Sequence, residues 1–445
     1  MVPVPKLQGI SNGYLRPSDG MVAIGPGGPG ADRGAINWDC VCFRVMGSKL
    51  VSIDALGAVT VLGDVEAGGQ VTLDYSFDRL GISSNNKLFY WDKSTLTEVT
   101  DTDLGVVLDH IWIDGFFMTT DGEFIAVTEL NDPTSVRPLK YASSEVDPDP
   151  IKALLKVDNE AIALNRYTIE SFDNIGGSGF PFQVIPGAQI TKGTIGTHSC
   201  AVYKDAIAFL GSGRNEAPAV WIGLNGSVAK ISTREVDTVI QEFTEEQLAD
   251  VVFEVHVDKG HDQLHIRLPD RTLVYDASAS AVVKQPVWCV LTSGIDLDTF
   301  SQNRASNRVR VYDKWMVGDP QSSAIGFLSN SDQEHWGEEI GWEFHTGILY
   351  NKSKSAIVHD LELVGITGRS KLSKDPTIMT QYSIDGETYS QPRFIKSGKQ
   401  GERNKRLSWR HQGRLRNWRT QRFRGTSDSR MSPARLEARL EPLAF

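Results

Sequence analysis

A chain of 445 residues with 40% hydrophobic and 23% charged side chains can bury roughly three-quarters of the surface its unfolded form exposes, so it needs neither disulfide nor metal to fold. No run approaches the ~18 apolar residues of a membrane span, and Met1 to Gly13, with one lysine and no apolar block, predicts no leader. Cys40, Cys42, Cys200 and Cys289 form no Cys-x-x-Cys, which predicts reduced thiols in a soluble protein made in cytosol.

Charge is distributed unevenly. The net charge is −10, yet Arg369 to Phe445 holds 18 of the 46 basic residues and 7 of the 56 acidic ones. The body before it keeps 28 basic against 49 acidic residues. An acidic body joined to a basic C-terminal segment predicts two surfaces with different partners.

Met1 to Gly30 is rich in Pro and Gly, centred on Gly25-Pro26-Gly27-Gly28-Pro29-Gly30. Such a run predicts an extended arm or surface loop, either frayed or laid on a partner. From Ile36 onward a polar or Gly-bearing turn precedes a short β-branched and aromatic strand, repeatedly. Instances begin at Gly47, Asn85, Asp121 and Asp158, 36 to 38 residues apart, and further ones begin near Lys204, Gly260 and Tyr312. Blades of β-propellers repeat on about 40 to 50 residues, each a four-stranded meander. Each unit exposes one apolar face that its neighbours must cover, and ring closure removes the last open edges. The expectation is an all-β chain dominated by a β-propeller over residues 31–368, with six blades the first choice and seven the alternative. Residues 1–30 form an N-terminal arm and residues 369–445 a basic β segment.

Two local readings are sharper. Leu224-Asn225-Gly226-Ser227 between Val220–Ile222 and Val228–Ile231 predicts a tight hairpin, because Asn and Gly tolerate positive φ. Ser232 or Thr233 caps a predicted surface helix from Arg234 to Phe243, and Thr244 to Gln247 carries a capping-box pattern. Near the C-terminus, Gln381 to Tyr389 reads as an Asp-box-like hairpin with Asp385-Gly386 at its tip. Beyond it, Arg393 to Arg424 holds twelve Lys+Arg and one acid, Glu402, interleaved with Phe394, Trp409, Trp418 and Phe423.

The order of short motifs from Tyr167 to Thr233 resembles the tail hub, or nozzle, proteins of short-tailed bacteriophages, also called packaged-DNA stabilisation proteins. Ile169-Glu170-Ser171-Phe172 leads into Phe180-Pro181-Phe182, Pro186-Gly187-Ala188, Phe209-Leu210-Gly211 and Ile231-Ser232-Thr233. Thr272 to Asp276, Val311 to Asp319, and the closing run Gly398 to Arg414 resemble the same family. The motifs span about Asn159 to Arg424, and the N-terminal third matches in style alone. The resemblance implies a non-enzymatic structural protein of the virion tail: a homo-hexameric ring that retains packaged DNA and passes it at ejection. It also implies partners in the adaptor or head-to-tail connector, the tail fibre or tailspike, and the tail needle or plug, with DNA in the channel.

Other chemistries are weighed against this. The Asp-box raises a sialidase or glycosidase reading, or a receptor-binding propeller, but such hydrolases need an arginine cluster and paired acids about the sugar. Tyr14-Leu15-Arg16-Pro17 only loosely fits such an arginine, so the hairpin is read as structural. His256, His261 and His265 are spaced like ligands, but on alternating strands they need not share a face, and solvent-facing or edge histidines are the favoured reading. Cys40 and Cys42 read as core, and Asp147-Pro-Asp149 and Asp296-x-Asp298 lack the frame of a calcium loop. No catalytic, cofactor or metal residue is therefore assigned. The basic segment reads as either a nucleic-acid surface or an interface, since arginine pairs bidentately with carboxylates and stacks on Trp. The interface reading is favoured and assigned to Arg410, Arg414, Arg416, Arg419, Trp409 and Trp418.

Overall fold

The computed structural model describes residues 2–3, 13–130, 132–144, 148–177, 179–351 and 354–443. Nearly all of the predicted arm before residue 13 lies outside them, as does Asp147. The chain divides into two units. One, residues 23–291 with 302–327, is built from antiparallel meanders. Their first strands are Asp32–Trp38 in blade 1, Thr72–Tyr75 in blade 2, Asp109–Ile113 in blade 3 and Ile151–Val157 in blade 4. Cys200–Tyr203, Val252–Asp258 and Ser306–Val311 serve blades 5, 6 and 7. Each first strand packs beside the next in this order, and the one of blade 7 packs beside that of blade 1. This is a closed β-propeller.

The blade count is seven, the alternative rather than the first choice. Each of the seven predicted turns falls in a different blade, but the phase slips. In blades 1 to 3 the turn joins the second and third strands, while Asp158-Asn159, Lys259-Gly260 and Tyr312-Asp313 join the first and second. Blade 7 is also completed by residues from the far end of the chain: Ile24 N–H donates to Ile325 O (2.9 Å) and Gly28 N–H to Ser323 O (2.8 Å). A blade assembled from both ends leaves no full repeat to count. The Gly/Pro run from Gly25 is thus held against its own ring.

Alternation of side chains gives each blade two buried faces, so the core is divided among seams between blades. Apolar clusters join blade 1 to 2 around Trp38, Leu50 and Leu80, and blade 2 to 3 around Tyr90 and Phe117. Others join blade 3 to 4 around Phe116 and Phe182, and blade 4 to 5 around Leu164 and Phe209. Leu210 and Leu264 join blade 5 to 6, and Val51 and Val309 join blade 1 to 7. Helix is confined to short pieces. Arg234–Ile240 is capped by Thr233, whose side chain accepts from Val236 N–H, and Glu245–Ala249 carries the expected capping box at Thr244 and Gln247. Ala277–Val283 was not foreseen; Asp276 caps it through Ala279 N–H. The predicted hairpin is present with Leu224 opposite Ser227 and φ of 51° and 76° at Asn225 and Gly226.

The second unit contains residues 328–445 with 292–301 and the N-terminal residues to 22. Its two antiparallel sheets form a sandwich. One orders Gly341–His345, Trp418–Thr426, Thr377–Ser383 and Arg393–Lys396, and the other places Ala356–Ile366 between Leu407–Arg410 and Ser432–Pro442. Leu363, Ile378, Leu407, Trp409 and Phe423 fill the space between. The change of charge at Arg369 therefore falls inside the sandwich, downstream of the strand Ala356–Ile366.

Candidate interaction surface

The sandwich brings the edges of its two sheets together along one rim. Arg393–Lys396 is the edge strand of one sheet, and Leu407–Arg410 followed by Arg414–Leu415 is the edge of the other. The Arg393 guanidinium clips them by donating to the carbonyls of Arg410 (2.9 Å) and His411. Leu415 is buried while Arg414 and Arg416 on either side are exposed, as period-two alternation requires. Arg414 donates to Ser355 Oγ (3.1 Å). Arg410 and Arg416 are exposed and make no ion pair with any described residue. With Phe394, 61% exposed, they form a basic rim with one aromatic.

Trp409 and Arg419 lie inside the sandwich instead. Trp409 is 3% exposed, its indole donates to Arg393 O (3.0 Å), and its ring tilts against Phe423 at 5.5 Å. Arg419 is 1% exposed, donates to Gln412 O (2.9 Å) and lies 5.1 Å from the Tyr382 ring. Burial without a carboxylate pulls its guanidinium down to about 10. A surface contact therefore falls to the exposed arginines, with half-buried Trp418 at the margin.

Much of the remaining positive charge is neutralised within the unit. Arg406 pairs with Glu362, and Arg439 with Asp360 (2.7 Å). Arg424 pairs with Glu343 and Asp298 (3.0 Å), while Arg422 stacks 3.7 Å from the Tyr389 ring centre. Sequence reading missed these pairs because Asp298 and Glu343 lie far upstream in the chain.

The alternative chemistries lose their residues to structural duties. Asp385 accepts from Glu387 N–H (2.9 Å), Thr388 N–H (2.8 Å), the Thr388 hydroxyl and the Ser383 hydroxyl (2.8 Å). These bonds, that from the Thr388 hydroxyl first, hold it far below the usual carboxylate range. Arg16 is engaged by Asp19 and Asn330. His256 and His265 are not solvent-facing: they are 7% and 3% exposed with ring centres 5.8 Å apart, whereas His261 pairs with Asp276 (2.6 Å). Cys42 is buried, but Cys40 is exposed in a turn at φ 61°, so the two do not share a strand face. Asp149 caps Thr168 (3.1 Å), and Asp296 caps the N–H of Asp298 (3.0 Å).

The propeller carries a surface that sequence reading missed. On the face bearing the first hairpin of each blade, Phe77 is 88% exposed and meets Trp112 edge-on at 5.4 Å. Ile175, 64% exposed, follows Asn174, whose amide donates to Asp114 (3.0 Å). Asp78, Asp114 and Asp173 are exposed round them. Asp74 accepts from Trp112 N–H (2.6 Å) and pairs with Lys156 (3.6 Å). Blades 2, 3 and 4 thus present one apolar centre with an acidic border. A lone Phe between serine and aspartate carries no periodicity, so only the fold gathers it with Trp112 and Ile175.

The motifs from Tyr167 to Thr233 are parts of blades 4 and 5. Ile169, Phe172, Phe182 and Phe209 are core, Gly187 turns at φ 82°, and Thr233 is a helix cap. Gly211 is required because a Cβ there would lie 1.7 Å from Gly193 O.

Comparison with known proteins returns the same two-part plan. The family model described as bacteriophage P22 Gp10, beta-propeller, matches residues 1–333, and that described as P22 Gp10, beta-sandwich, matches residues 341–441. The match therefore reaches the N-terminal third, beyond the span of the short motifs. The chain is 26% identical over 439 residues to the tail hub protein gp10 of Salmonella phage P22, covering 94% of this chain and 89% of that one. Among solved structures, the Neurospora crassa Pan2 WD40 domain aligns at 10% identity and TM-score 0.45, covering 74% of this chain and 98% of that one. Kluyveromyces lactis Hsv2 aligns at 7% identity and TM-score 0.36, covering 72% and 94%.

Proposed function

The chain belongs to the bacteriophage P22 Gp10 family, and on that premise we propose that it is the structural hub of a short phage tail. In this reading six copies ring the path of the DNA, retain it in the packaged particle and let it pass at ejection. The observation that carries the reading is the alignment of propeller and sandwich, in one order, with a tail hub protein over most of both chains. The acidic body suits a wall beside DNA, because a negative surface does not grip a sliding polyanion whereas a basic one does. The adaptor or connector, the fibre or tailspike and the needle or plug are the neighbours such a ring would meet.

Within the ring, we assign the basic rim of one copy to the acidic, aromatic face of the next. Arg410 and Arg416 bring charge that no described residue of their own chain neutralises, and Asp78, Asp114 and Asp173 border the exposed Phe77 and Ile175. Charge complementarity of this kind fixes partner and register, and rim pairs contribute less than buried ones. The test is particle mass at moderate salt for wild type and for Arg410→Glu with Arg416→Glu. The double variant should fold and lose ring affinity by roughly tenfold, about 1–2 kcal/mol. Adding Asp78→Lys and Asp114→Lys in the same chain should restore it. Assembly unchanged with DNA affinity lost would make the rim a nucleic-acid surface instead.

A further inference from the structure

The seams of the propeller are not alike. Among the described residues, six hold apolar clusters, whereas no apolar cluster spans blades 6 and 7. Alternation explains how this arises. Along Val252–Asp258, Phe253 and Val255 turn toward blade 5 and join its cluster, which sends Glu254, His256 and Asp258 to the other side. On the paired strand His261–Arg267, Leu264 and Ile266 again face blade 5, leaving Gln263, His265 and Arg267 toward blade 7. From blade 7, Val309, Val311 and Met316 pack on blade 1, so Arg308 and Trp315 face blade 6. The buried apolar side chains that alternation adds to this seam are Val274 and Val317.

What fills the seam is ionisable. Glu254 pairs with Arg308 (2.6 Å) and Arg267 (3.3 Å) and accepts from Asn307 N–H (3.1 Å). Arg308 also donates to Asn303 (3.2 Å). The His256 ring lies 4.5 Å from that of Trp315 and 5.8 Å from that of His265, whose Nε2 meets the Gln263 amide oxygen at 3.3 Å. Asp258 pairs with Lys259 (2.7 Å). One buried carboxylate thus faces two buried guanidinium groups, and two histidines lie beside them. A buried ion pair offsets little more than its own desolvation, and losing its single carboxylate leaves uncompensated charge. An apolar seam has no such dependence.

The location matters as well. The chain passes between the two units at 22/23, 291/292, 301/302 and 327/328. The second of these leaves blade 6 and the others flank blade 7. We propose that the seam between blades 6 and 7 is a proton-releasable joint of the propeller: acid parts it while the six apolar seams hold, freeing blade 7, the blade most tethered to the second unit.

The sign follows from the groups present. Burial, Arg308 and His256 hold His265 well below its ordinary 6.5. Burial raises Glu254, but Arg308 and Arg267 outweigh it and hold the carboxyl below its ordinary 4.5. Both take up protons when the seam parts, so closure weakens as pH falls through the first value and further through the second.

The experiment is amide hydrogen exchange on the full chain at about pH 7 and about pH 5, corrected for intrinsic rates. Residues 252–258 and 306–311 should exchange about tenfold faster at the lower pH, while 161–164 and 206–210, at the apolar seam of blades 4 and 5, should not change. Equal protection of both seams at both pH values overturns the proposal. A second arm replaces the ionisable groups with neutral ones of similar volume, His265→Gln together with Glu254→Leu, Arg267→Met and Arg308→Leu, which should abolish the acid response. An acid response retained in that variant overturns it too, and if the variant does not fold, the wild-type exchange alone decides.

Discussion

Asp32→Ala should cripple ring closure, because blades 1 and 7 are also joined by a single buried charge network. Arg44 and Asp32 have side chains 0% exposed and 2.7 Å apart. The second carboxylate oxygen accepts from Ser306 Oγ and Asn307 Nδ2, each at 2.7 Å, while Arg44 Nη2 donates to Asn307 O (2.7 Å). Arg44 Nε already has no acceptor, so removing the carboxylate leaves a buried cation facing one carbonyl and the Cys42 thiol. Breaking a buried pair from one side costs about 3–5 kcal/mol. The orphaned Asn307 amide adds to this non-additively at about 1–3 kcal/mol, whereas the Ser306 hydroxyl keeps Gly318 O (3.0 Å) as acceptor. A loss of about 4 kcal/mol is a large part of the roughly 5–15 kcal/mol that holds a domain together. Urea unfolding by tryptophan fluorescence, with exchange at 32–38 and 306–311 to assign the transition to the propeller, measures it. Asp64→Ala, which removes an exposed pair with Lys49, is the control and should shift the midpoint little. Asp32→Asn with Arg44→Met should recover most of the loss, since no buried charge then remains and Ser306 keeps an acceptor. A loss within about 1 kcal/mol, as for surface pairs, would refute the reasoning.

Two further outcomes follow from the same packing. Gly211→Ala should exceed the ~1–3 kcal/mol of ordinary overpacking, since its Cβ would strike the backbone of Gly193 and Thr194; a thermal midpoint equal to wild type would contradict this. His110 is 0% exposed, bonded to Ser83 Oγ (2.6 Å) and pushed by burial down to about 4 from 6.5. Its folded value is depressed, so the stability it carries at neutral pH is lost as pH falls from 6.5 towards 4, by at most about 3 kcal/mol. His110→Gln should flatten that part of the pH–stability curve relative to wild type, and identical curves would assign the effect elsewhere.

Sequence alone determined what is local. Period-two alternation and β-branched runs mark the strands, Asn225-Gly226 marks a hairpin, and Thr233 and Thr244 mark helix starts, because each depends on a few adjacent residues. The short motifs also identified the family, since a blade's core and turns recur in fixed order. The blade count was not legible: the phase of the turn slips between blades and residues near Ile24 complete the last one. Nor could sequence sort the arginines. Arg414, Arg416 and Arg419 look alike in a basic run, yet the first two are exposed on either side of buried Leu415 and the third is buried on Trp418–Thr426, and Glu343 and Asp298 neutralise Arg424 from far upstream. The surface round Phe77 and the ionic seam at Glu254 are decided by which blades the closed ring sets side by side. Closure is a non-local condition, so only the tertiary structure could supply them.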